Sequence, residues 1–337
     1  MAETIAERRL GREAALAMQT VADAVDLART VERTVAADTL SKDDVSPATV
    51  ADFSVQALIA ARLTRDFSCD TLIAEEDAST LRDAPHLAAR VADCLRLADA
   101  ALHVDQVLAL IDRGRGSPSR RFWVLDPIDG TKGLLRGAQY AVALALLEDG
   151  VVKIGVIGCP RLSLGEPSDA RGDGGIAVAV RGRGAWWSGD SSGSLVRLCV
   201  SHASKPQHAR VLHAFETAHS DATMLRQVVN ALGVEHAPWL MDSQAKHAVV
   251  SSGAADILLR FPTPRSYREA IWDEAAGSLL IEEAGGRVTD LVGRRLDFAA
   301  GRRLSRNVGL VATNGVLHDA VLEAIRNAQP KPLPPGA

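Results

Sequence analysis

The sequence has neither an excess of positive charge nor cysteines in paired spacing. Its formal net charge is −4 over 337 residues, so the chain as a whole does not attract nucleic acids or anionic membranes, and an anionic ligand must be held by local cations or a bound metal. The four cysteines, Cys69, Cys94, Cys159 and Cys199, lie far apart. This spacing favours reduced, mostly buried thiols over a disulfide framework or a zinc site.

Long apolar runs, internal repeats and heptads are also missing. Residues 1–26 contain Glu3, Glu7 and Glu13 and no continuous apolar stretch, so we expect no secretory signal, no membrane anchor and a cytoplasmic protein. A hydrophobic fraction of 47% and a charged fraction of 24% are ordinary for globular proteins, and the length favours two domains. We therefore expect small-molecule partners rather than nucleic acid or membrane, and a monomer or weak homo-oligomer.

The N-terminal part of the chain is predicted to be mainly helical. Apolar residues recur at helical spacing over residues 5–35 and 50–63, and Asp52 lies close to the start of the second predicted helix. Residues 69–74 predict a short strand. The acidic run Glu75-Glu76-Asp77 follows it directly, where the chain must leave the sheet.

Antiparallel sheet is expected in the middle of the chain. Residues 122–125 predict a brief apolar strand, and strands over 140–147 and 151–157 flank Asp149-Gly150, a strong hairpin signal. The preceding residues 112–121 are rich in Gly, Ser, Pro and Arg, which predicts an exposed and mobile loop.

The pattern divides the chain into an α+β domain over residues 1–196, containing the antiparallel sheet, and an α/β domain over residues 197–328. The Gly- and Ser-rich stretches 165–175 and 182–193 are typical of surface turns, the second leading out of the first domain. In the second domain, strands are predicted over 210–214 and 257–261 and helices over 221–232 and 273–284, the last ended by Gly285-Gly286. The Pro-rich residues 329–337 predict a disordered tail.

The densest chemical signal is Asp126-Pro127-Ile128-Asp129-Gly130-Thr131, directly after the predicted strand 122–125. Proline biases Asp126 towards an extended backbone, and Asp129-Gly130 makes a turn that returns a second carboxylate beside the first. Neighbouring carboxylates repel unless a cation lies between them, and hard divalent ions such as magnesium prefer oxygen ligands of this kind. The motif therefore predicts a divalent metal site.

The residues alone leave structural interpretations of the acids open. Asp126 and Asp129 can cap backbone amides in an Asx-turn. Asp52 and Asp273 can be helix N-caps, and residues 75–77 can be a solvated charge run.

Residues 126–131 resemble the Asp-Pro-(Ile/Leu)-Asp-Gly-Thr signature of the lithium-sensitive, magnesium-dependent phosphatases that include inositol monophosphatase and fructose bisphosphatase. The resemblance extends to Ala74-Glu75-Glu76 and Trp272-Asp273-Glu274-Ala275-Ala276-Gly277, in the same order and spacing, and runs from about residue 10 to about residue 320. It implies an α/β fold with an α+β N-terminal part, arranged as a layered αβαβα sandwich.

Within that superfamily, the chain resembles in particular the 3'(2'),5'-bisphosphate nucleotidases, which remove the 3'-phosphate from adenosine 3',5'-bisphosphate. The similarity lies in residues 46–52, 122–137 and 242–246. Lys132-Gly133 is the discriminating pair, because inositol monophosphatases typically have Thr-Asn-Phe where the nucleotidases have Thr-Lys-Gly.

The resemblance implies the roles of individual residues. Glu75, Asp126, the backbone carbonyl of Ile128, Asp129 and Asp273 would bind two or three Mg²⁺ ions. Asp52, Thr131 and Glu75 would act on the attacking water. The residues that would contact the substrate are Gly130, Thr131, His219, Ser220, Ser243, Lys246, Arg260 and Asp273.

The implied reaction is hydrolysis of the 3'-phosphate of adenosine 3',5'-bisphosphate, and also of 3'-phosphoadenosine 5'-phosphosulfate, by metal-activated water, with inhibition by lithium and a role in sulfur metabolism. An inositol phosphate or sugar phosphate phosphatase on the same scaffold, and a catalytically silent nucleotide-binding protein, are the alternatives. Two positions depart from the family pattern: His247 stands where aromatic or other residues are usual, and Glu274 stands where His is common. Residues 84–116 also correspond poorly.

Overall fold

The computed structural model describes residues 5–38, 47–98, 102–164, 172–189, 194–214 and 221–328. The predicted disordered tail over residues 329–337 and the predicted substrate residues His219 and Ser220 lie outside these ranges. Among the described residues, no helix combines the length and the apolar character needed to span a bilayer.

Apolar residues at helical spacing build a layer of helices on one face of the first sheet. The layer contains α1 (Ile5–Leu10), α2 (Arg12–Asp38), α3 (Pro47–Asp66), α4 (Ser79–Asp83), α5 (Pro85–Arg96) and α6 (Val104–Asp112). The single helix predicted over residues 5–35 is divided at Gly11, whose φ is +88°. Val21 of α2 and Phe53 of α3 are buried in the apolar core that these helices share with the sheet.

The first sheet has seven strands whose spatial order is their sequence order. They are β1 (Thr71–Ala74), β2 (Arg121–Asp129), β3 (Ala141–Glu148), β4 (Val151–Cys159), β5 (Gly175–Val180), β6 (Gly184–Ser188) and β7 (Val196–Leu198). The β1 and β2 strands pair in parallel, and every later pair is antiparallel. The predicted hairpin is confirmed, since Asp149 and Gly150 both have positive φ between β3 and β4.

Two predictions for this sheet hold only in part. The strand predicted over residues 122–125 continues as β2 to Asp129, with a register shift between Asp126 and Asp129. Residues 182–193 are not only surface turns, because β6 begins at Gly184. The sheet also extends through β7 to Leu198, across the predicted domain boundary, and the division into two domains stays a prediction.

Two helices, α9 (Ala245–Ser251) and α10 (Ile271–Glu283), lie between the first sheet and a second sheet. The second sheet contains β8 (Val211–His213), β9 (Trp239–Leu240), β10 (Ile257–Arg260), β11 (Arg287–Thr289) and β12 (Leu310–Thr313), in the order β11-β12-β10-β8-β9. Its outer face is covered by α8 (Ala222–Leu232) and α11 (His318–Ala328). The implied αβαβα layering is therefore confirmed.

All four cysteines are free thiols, as their spacing predicted. Cys94 and Cys159 are buried, whereas Cys69 and Cys199 are exposed, so the prediction of mostly buried thiols holds for only two of them.

The only glycine within α10, Gly277, allows the imidazole of His247 in α9 to lie directly on the helix. A Cβ atom at position 277 would come within 2.4 Å of two ring carbons. His247 is only 3% exposed, so the ring has no free space to move into. Glycine inside a helix costs about 1 kcal/mol relative to alanine, and here the close approach of α9 and α10 requires it.

We expect Gly277→Ala to lower the free energy of unfolding by about 1–3 kcal/mol, because overpacking outweighs the better helix propensity of alanine. Denaturant unfolding measures the change. In a His247→Ala background the same substitution should be neutral or stabilising, because the ring is gone. An equal loss in both backgrounds would show that the ring is not the obstacle.

Candidate active site

The ends of several elements bring the predicted acids to one region. Glu75 directly follows β1, and Asp126 and Asp129 lie in the irregular last part of the neighbouring β2. Asp52 lies in the second turn of α3, and Asp273 is the third residue of α10. Parallel pairing of β1 and β2 places their carboxyl ends at the same sheet edge, so the acids of both strands meet there.

A cavity of about 420 Å³ opens at this edge, between the first sheet and the second. Its walls include Glu75, Asp129, Thr131, Ser243, Lys246 and Arg260, together with Gly130 and Asp273. The structure therefore brings together all the described residues predicted to contact the substrate. Asp126 and Asp52 are almost fully buried beside this cavity, with exposures of 2% and 6%.

Burial and mutual repulsion raise the pKa values of the acids on the first sheet. The pKa of Asp126 lies well above its ordinary value, chiefly because of burial and then because of the charges of Glu75, Asp129 and Asp273. The pKa of Glu75 is raised to about 8, first by desolvation and then by Asp273 and the adjacent Glu76. Glu75 is nevertheless exposed on the cavity wall, so solvent screens part of this repulsion.

The pKa values of Asp52 in α3 and Asp273 in α10 are raised as well. The pKa of Asp273 is raised to about 7, chiefly by burial, although the nearby Arg260 opposes the shift. Burial also raises the pKa of Asp52 well above its ordinary value, and the charges of Glu76 and Glu75 add to the effect. Acids that raise one another's pKa values in a shared cavity form a single electrostatic unit.

The structural interpretations of these acids fail in part. Asp126 and Asp129 accept hydrogen bonds from Gln244, more than a hundred residues further along the chain, and not from an Asx-turn of their own. Asp52 lies inside α3 and is not its N-cap. The N-cap of α10 is Ala270 and not Asp273. The Asp273 carboxylate accepts a hydrogen bond from the N–H of Ala270.

The carboxylates fit a divalent cation in chemistry and environment. The buried Oδ1 atom of Asp126 has no donor group as its partner, while the Glu75 carboxyl group contacts Asp126. Two carboxyl groups in contact need a proton or a cation between them. Within the described ranges, no three His, Cys, Asp or Glu side chains already surround one point at ligand distance. The assignment of individual metal ligands therefore stays a prediction.

The Thr131 hydroxyl donates a hydrogen bond to the carbonyl of Ile128 at 3.2 Å. This contact joins two predicted functional groups at the start of α7 (Thr131–Arg136). Among the hydrogen bonds of the described residues, none joins Thr131 to Asp52, so the predicted orientation of the hydroxyl by Asp52 is not seen here. A hydroxyl rotates about its C–O bond, so it can exchange this partner for another.

The cationic side of the cavity is formed by Lys246 and Arg260. Lys246 Nζ donates to the carbonyl of Ser243 at 2.8 Å, and burial lowers the pKa of its ammonium group, against the attraction of Asp129. Burial also opposes the charge of Arg260, but surrounding carboxylates, with Asp273 the largest contributor, raise its pKa above the ordinary value. Arg260 therefore carries positive charge beside the acids, and Lys246 places an amino group next to it whose charged form is disfavoured by burial.

Arg260 is held by two buried glutamates. Its Nε lies 3.4 Å from Glu269, and its Nη1 lies 3.4 Å from Glu274. The second oxygen of Glu274 lies 3.2 Å from Nε2 of His247. The two departures from the family pattern, His247 and Glu274, are thus in direct contact, and Glu274 also contacts Arg260.

The loop predicted over residues 112–121 is exposed in part, but two of its glycines are anchored. The carbonyl of Gly114 accepts from the N–H of Ala74, and the N–H of Gly116 donates to the carbonyl of Leu72, so the loop pairs with β1. The composition of the loop predicted its solvent exposure. It could not predict these backbone hydrogen bonds, because they depend on the position of the edge strand β1.

Arg302 is a residue that the sequence analysis did not single out. From outside the cavity it contacts the residues that directly precede Glu75 and Asp273. Its guanidinium donates to the carbonyl of Ala74, directly before Glu75, and lies 4.9 Å from the ring centroid of Trp272, directly before Asp273. No motif signals this role, because Arg302 lies in an irregular segment and acts through a backbone carbonyl and a ring face.

Comparison with known proteins agrees with this geometry. A model of the inositol monophosphatase family matches residues 8–330. A 3'(2'),5'-bisphosphate nucleotidase from Emericella nidulans is 40% identical, with 94% of this chain and 97% of that protein covered. A protein of the same name from Oryza sativa is 38% identical over 94% of both chains. An inositol monophosphatase from Anabaena (Nostoc) sp. PCC 7120 has a TM-score of 0.62 at 20% identity, covering 94% and 96% of the two chains, which shows the shared fold.

We expect the metal-free protein to lose stability as the pH rises from about 6.5 to about 8.5. The pKa of Glu75 is about 8 in the folded chain and near 4.5 without its neighbours, so in this interval folding takes up a proton. The stability that the protonated form contributes is lost as the pH passes through 8. His318, whose lowered pKa of about 4 has the opposite effect, no longer contributes above its unfolded value of 6.5.

Thermal unfolding in EDTA across this pH range measures the effect. Glu75→Gln, which cannot ionise, is the matched control, and its melting temperature should fall less steeply. The same slope for the wild type and the variant would contradict the assignment of the pH dependence to Glu75.

Proposed function

Because the chain belongs to the inositol monophosphatase family, we propose that it is a phosphomonoesterase that hydrolyses the 3'-phosphate of adenosine 3',5'-bisphosphate to AMP and phosphate. The curated relatives that are 38–40% identical over nearly the whole chain carry the name of this activity. The observation that carries the proposal is the single cavity in which Glu75, Asp129 and Asp273 face Lys246 and Arg260. Such a cavity offers separate places for a metal-bound phosphate and for a second anionic group.

We assign the metal ligands as the resemblance implies: Glu75, Asp126, the carbonyl of Ile128, Asp129 and Asp273, with two or three Mg²⁺ ions as the cofactor. The low-dielectric environment and the mutual repulsion of these acids support this assignment. When bound, the ions would neutralise charge on the transferring phosphoryl group and lower the pKa of a bound water.

Asp52 and Thr131 would orient the attacking water, and the Asp52 carboxylate would receive its proton, while Glu75 would act through the metal that it holds. A carboxylate whose pKa is raised towards neutral pH is a better proton acceptor, and the pKa of Asp52 is shifted in that direction. The Thr131 hydroxyl, on the cavity wall, can accept a hydrogen bond from the water while it donates to an oxygen. The water oxygen then bonds to phosphorus as the bond to the ribose 3'-oxygen breaks, and the leaving oxygen takes up a proton from solvent to become the 3'-hydroxyl.

The second phosphate of the substrate would lie against Lys246 and Arg260, with Ser243 and Gly130 close to the nucleotide. Arg260 keeps a one-third exposed side chain although Glu269 and Glu274 hold it, so its free edge can contact an anion. Glycine is required at position 130, because φ is +84° and a Cβ would lie 2.9 Å from that of Ser243. His219 and Ser220 remain proposed substrate contacts outside the described residues.

A panel of phosphate esters tests the proposed substrate. Phosphate release would be measured for adenosine 3',5'-bisphosphate, 3'-phosphoadenosine 5'-phosphosulfate, inositol 1-phosphate and a sugar monophosphate, with Mg²⁺ and with EDTA. We expect rapid release from the two nucleotides with Mg²⁺ only. Preference for inositol 1-phosphate would replace this proposal by an inositol phosphate phosphatase. Tight nucleotide binding without release from any ester would indicate a silent binding protein.

We expect Asp129→Asn and Asp273→Asn each to lower kcat by about a hundredfold or more, because a ligand charge is lost while the side-chain shape is kept. Circular dichroism should show that both variants fold. Activity would be measured over a Mg²⁺ titration, with the exposed Asp93→Asn as the control. Near-normal activity of either site variant at all Mg²⁺ concentrations would contradict its assignment as a metal ligand.

Lithium should inhibit phosphate release at millimolar concentrations if the resemblance extends to the metal chemistry. Inhibition would be measured at several Mg²⁺ concentrations, with the same concentrations of KCl as the control for ionic strength. Full activity in millimolar LiCl would contradict this prediction without affecting the proposed substrate.

A further inference from the structure

Gln244 lies between the acids of the first sheet and the helix that carries Asp273. It is 2% exposed, and it directly follows Ser243 in the loop before α9. Its backbone N–H donates to Oδ2 of Asp129 at 2.6 Å. Its side-chain Nε2 donates to the carbonyl of Trp272 at 3.1 Å and, more weakly, to Oδ2 of Asp126 at 3.4 Å. One residue therefore contacts both segments that carry these acids, the last part of β2 and the start of α10.

The orientation of the Gln244 amide is determined by its neighbours. The carbonyl of Trp272 and the carboxylate of Asp126 are both acceptors, so only the NH₂ group can face them. The opposite atom, Oε1, is then buried without a hydrogen-bond partner. An unsatisfied buried amide oxygen costs about 1–3 kcal/mol. The two hydrogen bonds that the NH₂ group donates to Trp272 and Asp126 offset this cost.

The backbone contact of Gln244 depends on an unusual conformation of the preceding residue. Ser243 has a φ of +64°, which is uncommon for a residue other than glycine and directs the next N–H towards Asp129. Ser243 packs on Gly130, and Arg136 forms an ion pair with Asp242 on the other side of the loop. The loop is thus fixed on the turn that follows β2, and Gln244 is fixed with it.

We propose that Gln244 is a positioning residue that holds Asp126, Asp129 and the start of α10 at the spacing at which their carboxylates share divalent cations. The inference rests on the proposed function, because it concerns the same acids. Gln244 touches no reacting atom in this assignment. It acts through the carboxylates, and partners of this kind typically change metal affinity by about 10–100-fold when they are removed.

Gln244→Leu and Gln244→Asn test the proposal. Leucine has a similar volume without a donor, and asparagine keeps the amide but is one methylene too short to reach Trp272 and Asp126. Both keep the backbone N–H that binds Asp129. The exposed Gln227→Leu on α8 is the control. Metal binding would be measured without substrate, by calorimetric titration with Mg²⁺ and by the rise of the melting temperature with Mg²⁺ concentration.

We expect both Gln244 variants to bind Mg²⁺ about 10–100-fold more weakly than the wild type, while Gln227→Leu binds normally. At saturating Mg²⁺ the KM for adenosine 3',5'-bisphosphate should change by less than about threefold, because the nucleotide contacts are intact. In EDTA the variants should remain folded, with melting temperatures close to that of the wild type.

Three results have distinct meanings. Equal Mg²⁺ affinity in the wild type and both Gln244 variants would overturn the positioning role while leaving the proposed function intact. Variants that are unfolded with and without Mg²⁺ would also overturn it, since Gln244 would then serve the stability of the fold. Absence of Mg²⁺ binding by the wild type would instead contradict the proposed function itself.

Discussion

Repulsion between carboxylates that converge on one cavity is the constraint on which the rest of this structure depends. Asp126 is buried in contact with Glu75, whose charge raises the pKa of Asp126, and the charges of Asp129 and Asp273 raise the pKa values of both groups. A fold gains nothing in stability from such an arrangement, because acids placed apart on the surface would remain hydrated. Perturbed acids that converge in a cleft are the physical mark of a functional site, and here they match the chemistry of phosphate ester hydrolysis.

Much of the surrounding structure serves to keep these acids close together. Arg302 and Gln244 both connect the first sheet to Trp272, one from outside the cavity and one from inside. Small residues allow the close contacts that this requires. Gly130 accommodates Ser243, and Gly277 accommodates His247, at separations that any side chain would prevent. The fold thus resists the mutual repulsion through polar contacts between distant segments and through dense packing around them.

Several helices, the β3–β4 hairpin and the region of the site could be predicted from the sequence because their signals are local, whereas the layered fold was implied only by the family resemblance. Helical spacing, the Asp149-Gly150 hairpin and the ordered run of acids each depend on a few neighbouring residues. The extension of β2 through Pro127 could not be predicted, because the pairing partner β3 determines it. Gln244 and Arg302 were missed for the same reason. Their partners lie far along the chain and are mostly backbone carbonyls, which leave no trace in the sequence.

The most direct measurement of the central claim is a crystal structure of the protein grown with Mn²⁺, with the ions located by anomalous scattering. The account predicts anomalous peaks in the cavity, within ligand distance of carboxylate oxygens of Glu75, Asp126, Asp129 and Asp273. Peaks only at other acidic surfaces, with these four side chains bound to protein partners instead, would contradict it.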